Sequence, residues 1–210
     1  MHDTNMAEEE EYMAEEEGDF PELEDMADMA DFADNAMNVA GRVGGFISKV
    51  LPQRQCSIKI KNNTSAFILR NPRVHIDTGV CAEPLALTIK PSSSGEGLFT
   101  KSRGSMRGSG GVFTYDLYHH QNCVGKMAAL FKVPYDLNLK SIVFAIGVFD
   151  SDTKCDKHLF HLMFTKKQDN FMRDKATGSC VTIESPLVTV SANMSNTDNT
   201  VMKIEISDYN

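Results

Sequence analysis

His158 and His161 stand three residues apart, a spacing that puts two imidazoles on one helical face, where they can ligate a single metal ion. The only soft donor close by in sequence is Cys155, which leaves the ligand set incomplete, so no metal is expected. His119 and His120 are adjacent near a predicted strand end, point to opposite faces and read as surface histidines. The stretch Gly104-Ser105-Met106-Arg107-Gly108-Ser109-Gly110-Gly111 has the composition of a phosphate-cradling loop. It lacks the Gly-Lys-Ser/Thr ending and reads as a flexible loop or a strand bulge. No Gly-x-Ser-x-Gly, His-Glu-x-x-His or close carboxylate pair occurs beyond residue 55, so neither catalytic residues nor a cofactor are expected, and the protein is not read as an enzyme.

The elements that must position these residues begin with the bulk properties of the chain. Its 210 residues, 41% of them hydrophobic and none of them Trp, suffice for one globular domain with an appendage. Five cysteines, Cys56, Cys81, Cys123, Cys155 and Cys180, are odd in number and never form Cys-x-x-Cys. Reduced, mostly buried thiols are expected instead of a disulfide framework. The longest uncharged apolar run, Ser141 to Phe149, falls well short of the roughly 20 residues that a membrane-spanning helix needs. The N-terminal residues show neither a basic region nor an apolar one, so the expected location is cytoplasmic, or extracellular by a signal-independent route.

Charge divides the chain. Of the 29 acidic residues, 15 lie in residues 1–34, and no Lys or Arg precedes Arg42. The remaining 14 acids face all 21 basic groups, so the body carries +7 against a polyanionic head. Residues 1–25, with the runs Glu8–Glu11 and Glu15–Glu17, cannot bury enough surface to offset chain entropy and read as an acidic disordered tail. Such a tail is either simply solvated or competes with anionic surfaces for the basic body. The scattered basic residues of the body are not interleaved with aromatics, and the acidic head opposes a polyanion, so nucleic acid is excluded as a partner.

Over residues 26–51 the apolar positions Met29, Phe32, Ala36, Val43, Phe46, Ile47 and Val50 follow helical spacing, with Asp28, Asp31, Asn35, Asn38, Arg42 and Lys49 on the opposite face. This predicts an amphipathic helix, acidic at its start and basic at its end as the helix dipole prefers, stopped by Pro52. At 1.5 Å per residue it is about 39 Å long, enough to cross a bilayer core. Gly41, Gly44 and Gly45 each cost about 1 kcal/mol of helix propensity, so its second half is marginal unless packed. A helix docked on a domain core, or a coiled-coil seam, fits the same periodicity. From Cys56 onward the period changes to two, in Ser57–Lys61 and in Val201–Ser207, where Met202, Ile204 and Ile206 face inward. Gly111–Tyr118, Met127–Val133, Ser141–Phe149 and Val181–Ser191 are strand-like, with Asn71-Pro72 and Pro91–Gly97 as punctuation. The expected fold is mainly β, a β-sandwich flanked by the N-terminal amphipathic helix and a short second helix over Asp152–Phe164.

The segment Phe131-Lys132-Val133-Pro134-Tyr135-Asp136-Leu137-Asn138 sharpens this expectation. It resembles the Val-Pro-Tyr-Asp stretch of the actinoporins, pore-forming cytolysins of sea anemones. Gly110-Gly111-Val112-Phe113 looks like that family's Gly-Val strand start, and Lys203–Ser207 like its closing strand. Pro91–Gly95 and Val112–Leu117 bring the chain nearest to the vertebrate actinoporin-like group. The resemblance spans roughly residues 30–207 and implies a sandwich over residues 55–207 that binds a lipid headgroup. It further implies that the helix of residues 26–51 detaches, inserts and lines an oligomeric cation-conducting pore. The protein is then peripheral on membranes, inserted when oligomeric, with membrane lipid and further copies of itself as partners.

Carried over position by position, the headgroup site implied by the resemblance comprises Thr78, Gly110, Lys132, Pro134, Lys140, Leu159, Met163 and Phe164, and the membrane-contact residues are Leu139, Val143 and Phe144. The pore-lining helix carries Met29, Phe32, Ala36, Val43, Phe46, Ile47 and Val50. Lys167-Gln168-Asp169 stands where many members have Arg-Gly-Asp, or is a plain surface turn. The family's tyrosine cluster falls on Leu159, Met163 and Phe164. Leu and Met offer no cation–π attraction, which is worth about 0.5–2 kcal/mol per ring. Lys132 and Lys140 turn a phosphocholine site towards anionic headgroups. A non-lytic lectin-like or protein-binding sandwich is the alternative, and a self-assembling coiled-coil protein a third.

Overall fold

A computed structural model describes residues 54–209. The acidic tail and the amphipathic helix, including Met29, Phe32, Ala36, Val43, Phe46, Ile47 and Val50, lie outside the described residues.

Among the described residues twelve strands form two six-stranded sheets. The first contains β1 (Gln55–Asn62), β3 (Val80–Glu83), β5 (Ser93–Thr100), β10 (Cys180–Glu184), β11 (Val188–Met194) and β12 (Asn199–Asp208), in the order β10-β11-β12-β1-β5-β3. The second contains β2 (Phe67–Thr78), β4 (Thr88–Ile89), β6 (Ser109–His119), β7 (Asn122–Val133), β8 (Val143–Phe149) and β9 (Phe171–Lys175), in the order β4-β2-β6-β7-β8-β9. All pairings are antiparallel except β1 with β12, which brings the first strand beside the last. The alternation read from the sequence has its physical counterpart here. Ile58, Ile60, Met202, Ile204 and Ile206 are buried and meet Leu69, Phe113, Phe131 and Phe144 of the second sheet in one core. The residues between them, such as Lys59, Lys61, Lys203 and Glu205, face solvent.

The middle of the second sheet, from β6 to β8, is buried on both faces, because helix α1 (Lys157–Thr165) covers the other side. Asp156 caps the helix, its side chain accepting from the Leu159 amide at 3.0 Å. Leu159, Phe160, Met163 and Phe164, at i, i+1, i+4 and i+5, pack on Val112, Ala128, Leu130, Val143 and Ala145. Two-sided burial explains why β8 reads as an unbroken apolar run, with all seven of its residues buried.

Three expectations need correction. Pro91–Gly97 is not merely punctuation: Ser93 onward is β5, and Gly95 and Gly97 sit within it because the side chains of Ile89 and Leu85 lie where their Cβ atoms would be, at 2.6 and 2.7 Å. Asn71-Pro72 does not end a strand either. It forms a bulge inside β2, where Asn71 takes a positive φ of 51° and the register shifts between Arg70 and Arg73. The cysteines are all free, but only Cys56 is buried, while Cys81 and Cys180 are exposed.

Candidate functional site

One row of residues crosses the helix-covered face of the second sheet. Thr78 on β2 pairs with Gly110 on β6, Gly110 with Lys132 on β7, Lys132 with Val143 on β8, and Val143 with Lys175 on β9. Directly paired residues share a face and stand about 5 Å apart. Gly110 matters because it lacks a side chain. A Cβ there would lie 2.8 Å from Lys132 Cδ and 3.2 Å from Thr78 Oγ1, so the lysine stem lies across the glycine towards β2. Its Nζ reaches Asp77 Oδ2 at 2.9 Å, on a carboxylate placed by the second bulge of β2, between Ile76 and Thr78.

The same ammonium lies 5.7 Å from the Phe160 ring centroid and 5.8 Å from that of Phe164. The two rings are one helical turn apart, 5.9 Å between centroids and 14° from parallel. The His75 ring also meets Phe160, with centroids 6.4 Å apart. Close by, Cys155 Sγ lies 3.4 Å from the carbonyl of Arg73 and 3.5 Å from that of Val112, and burial pushes its thiol pKa up. The hydroxyls of Thr78 and Ser109 are buried without a hydrogen-bond partner.

This row ends at one edge of the sandwich, where two loops meet. The β5–β6 loop, residues 101–108, approaches the end of β7 so closely that a Cβ on Gly108 would stand 1.7 Å from the Val133 carbonyl oxygen. Only glycine fits that contact. The β7–β8 loop, residues 134–142, is held from behind: Arg54 pairs with Asp198 and donates to the Tyr135 carbonyl, and Lys101 Nζ lies 5.8 Å over the Tyr135 ring. Leu139 projects from it with 76% of its surface exposed, and Met106 projects from the neighbouring loop. Arg103, Arg107 and Lys175 are exposed at the same end, with Lys101 and Lys140 half-buried.

The residues named from the sequence divide accordingly. Thr78, Gly110 and Lys132 are brought together. Pro134 is buried directly after β7, and Lys140 lies in the adjoining loop. Leu159, Met163 and Phe164 are corrected from headgroup contacts to core residues, because the apolar face of α1 is turned onto the sheet. Of these three, Phe164 alone borders the Lys132 ammonium. Val143 and Phe144 are likewise buried, Val143 beneath α1 and Phe144 between the sheets, so neither is presented to a membrane. Of the three residues that the resemblance names for membrane contact, Leu139 alone stands exposed. Lys167, Gln168 and Asp169 are exposed after α1, with Gln168 bridged to Phe171.

Sequence reasoning missed Phe160, Asp77 as a partner of Lys132, Met106, Arg103 and Lys175. Phe160 was findable as the residue four before Phe164, whereas Asp77 and Lys175 depend on strand register. Among the described residues no group of three His, Cys, Asp or Glu gathers that could hold a metal, and no helix is long and apolar enough to cross a membrane.

No protein-family model matches the chain, and no curated protein matches it in sequence. Among solved structures, the fold is similar to that of a protein described as lipid binding protein Nakanori, at 14% identity and a TM-score of 0.58, over 84% of this chain and 79% of that one. RahU protein, solved in complex with a TRIS molecule, aligns at 10% identity and a TM-score of 0.40 over 75% of this chain and 96% of its own. IP-1A from Alcaligenes faecalis aligns at 12% identity and a TM-score of 0.39, over 76% of this chain and 94% of its own. The first of these likenesses shows a shared fold.

Proposed function

We propose that this protein is a membrane-lipid-binding β-sandwich and not an enzyme, docking by the end that carries the β5–β6 and β7–β8 loops. The observation that carries the reading is the meeting there of exposed apolar tips, Leu139 and Met106, with the cations Lys101, Arg103, Arg107, Lys140 and Lys175. Apolar side chains enter the acyl boundary while Lys and Arg attract anionic headgroups, at about 1 kcal/mol per charge near such a surface. The fold shared with a lipid-binding protein supports the same reading. Anionic headgroups are favoured over phosphocholine because of the lysines and arginines gathered at that end, whereas the charge of Lys132 is already met by Asp77. The further step is that copies assemble on the membrane and that residues 26–51 insert, conducting cations. The protein is accordingly peripheral until it oligomerises, in the cytoplasm or outside the cell by a signal-independent route.

The test is binding to, and dye release from, vesicles of phosphatidylcholine alone, with sphingomyelin, and with phosphatidylserine. Phosphatidylserine-dependent binding with release is the expected result. Binding without release removes the pore and keeps the lipid site. Absence of both overturns the membrane reading and favours a lectin-like or protein-binding sandwich.

A further inference from the structure

Lysine is a strongly hydrated point charge on a flexible stem, and on a protein surface it extends into water. Lys132 does the opposite. Its side chain is only 16% exposed, and its ammonium is folded back over Gly110 into a recess with three walls: the faces of Phe160 and Phe164 and the carboxylate of Asp77. Ring centroids within about 6 Å of a cation, together with a carboxylate, are the groups that recognise an organic ammonium ion. We infer that Phe160, Phe164 and Asp77 form a cation site whose occupant is the chain's own Lys132, and that Lys132 thereby sets specificity by excluding quaternary ammonium ligands.

The exclusion is a matter of effective concentration. A tethered cation sits beside its site at millimolar concentration or higher, and a free ligand of the same charge must displace it. The site therefore takes a quaternary ammonium only when residue 132 is short and uncharged. The inference stands apart from the membrane reading, because its probe is a small soluble cation and needs no bilayer.

The experiment titrates tetramethylammonium into the full-length protein and follows the ligand's methyl resonance by NMR, for wild type, Lys132→Ser and Lys132→Met. Wild type and Lys132→Met, in which the recess stays filled, bind weakly or not at all. Lys132→Ser binds about tenfold more tightly or better, and Phe164→Leu in that background returns binding to the wild-type level. A folded Lys132→Ser protein that binds no better than wild type overturns the inference, as does wild-type binding of equal strength. If Lys132→Ser does not fold, the wild-type protein supplies the answer. Its Lys132 ε-methylene protons are expected to lie upfield of those of other lysines by ring current, and to move back in Phe160→Leu. An unshifted resonance overturns the assignment.

Discussion

Leu139→Ala isolates the apolar part of the proposed membrane contact, because the side chain projects from the β7–β8 loop with 76% of its surface in water. Complete burial of a leucine side chain is worth about 1.5–3 kcal/mol. With three quarters of the surface still to be buried and part of the loss made good by alanine, the substitution removes about 1–2 kcal/mol of binding, or roughly 5- to 30-fold in affinity. Folding is affected little, since an exposed loop substitution away from special backbone geometry stays within about 0.5 kcal/mol. Co-sedimentation with phosphatidylserine-containing vesicles reads the affinity, and a thermal melt provides the control. The absence of tryptophan from the chain gives a second readout: Leu139→Trp places a single indole at the tip, whose emission shifts to the blue if the loop enters the acyl boundary. Unchanged affinity in Leu139→Ala, with a water-exposed emission spectrum for bound Leu139→Trp, refutes end-on docking by this loop.

The electrostatic part is tested by Arg103→Gln with Lys175→Gln. Two lost charges cost about 2 kcal/mol, roughly 30-fold on anionic vesicles at low salt, and the difference closes as salt rises to about 1 M and the screening length falls to about 3 Å. Removal of residues 1–25 takes away Glu8–Glu11 and Glu15–Glu17 and is expected to raise affinity for anionic vesicles at low salt; unchanged affinity sinks the competing-tail idea. Gly108→Ala drives a Cβ to 1.7 Å from the Val133 carbonyl oxygen and is expected to lose about 2–4 kcal/mol, a fall of roughly 5–15 °C in melting temperature. Gly104→Ala, with nothing within 4 Å and a φ of 70°, costs about 1 kcal/mol, and equal effects of the two would show that the loops do not touch as described.

The sequence by itself determined what depends on local periodicity. Alternation in Ser57–Lys61 and Val201–Ser207 assigned Ile58, Ile60, Met202, Ile204 and Ile206 to the core, because a strand side chain has only two directions to point. The apolar run of β8 and the acidic start before α1 were legible for similar reasons. Their facing was not. A continuous apolar run carries no direction: the resemblance put Val143 and Phe144 at the membrane, whereas β8 lies between α1 and the first sheet and both side chains are buried. Glycines misled in the same way: Gly95 and Gly97 look like loop residues until Ile89 and Leu85 are seen packed over them. The Lys132 site belongs wholly to tertiary structure. Asp77, Gly110, Lys132 and Phe160 come from three strands and a helix, and what joins them is the register of β2 and β6 with β7, a bulge that places Asp77 and a missing side chain at Gly110. Register is fixed by the burial of whole faces, a property of the assembled sandwich that no single segment contains.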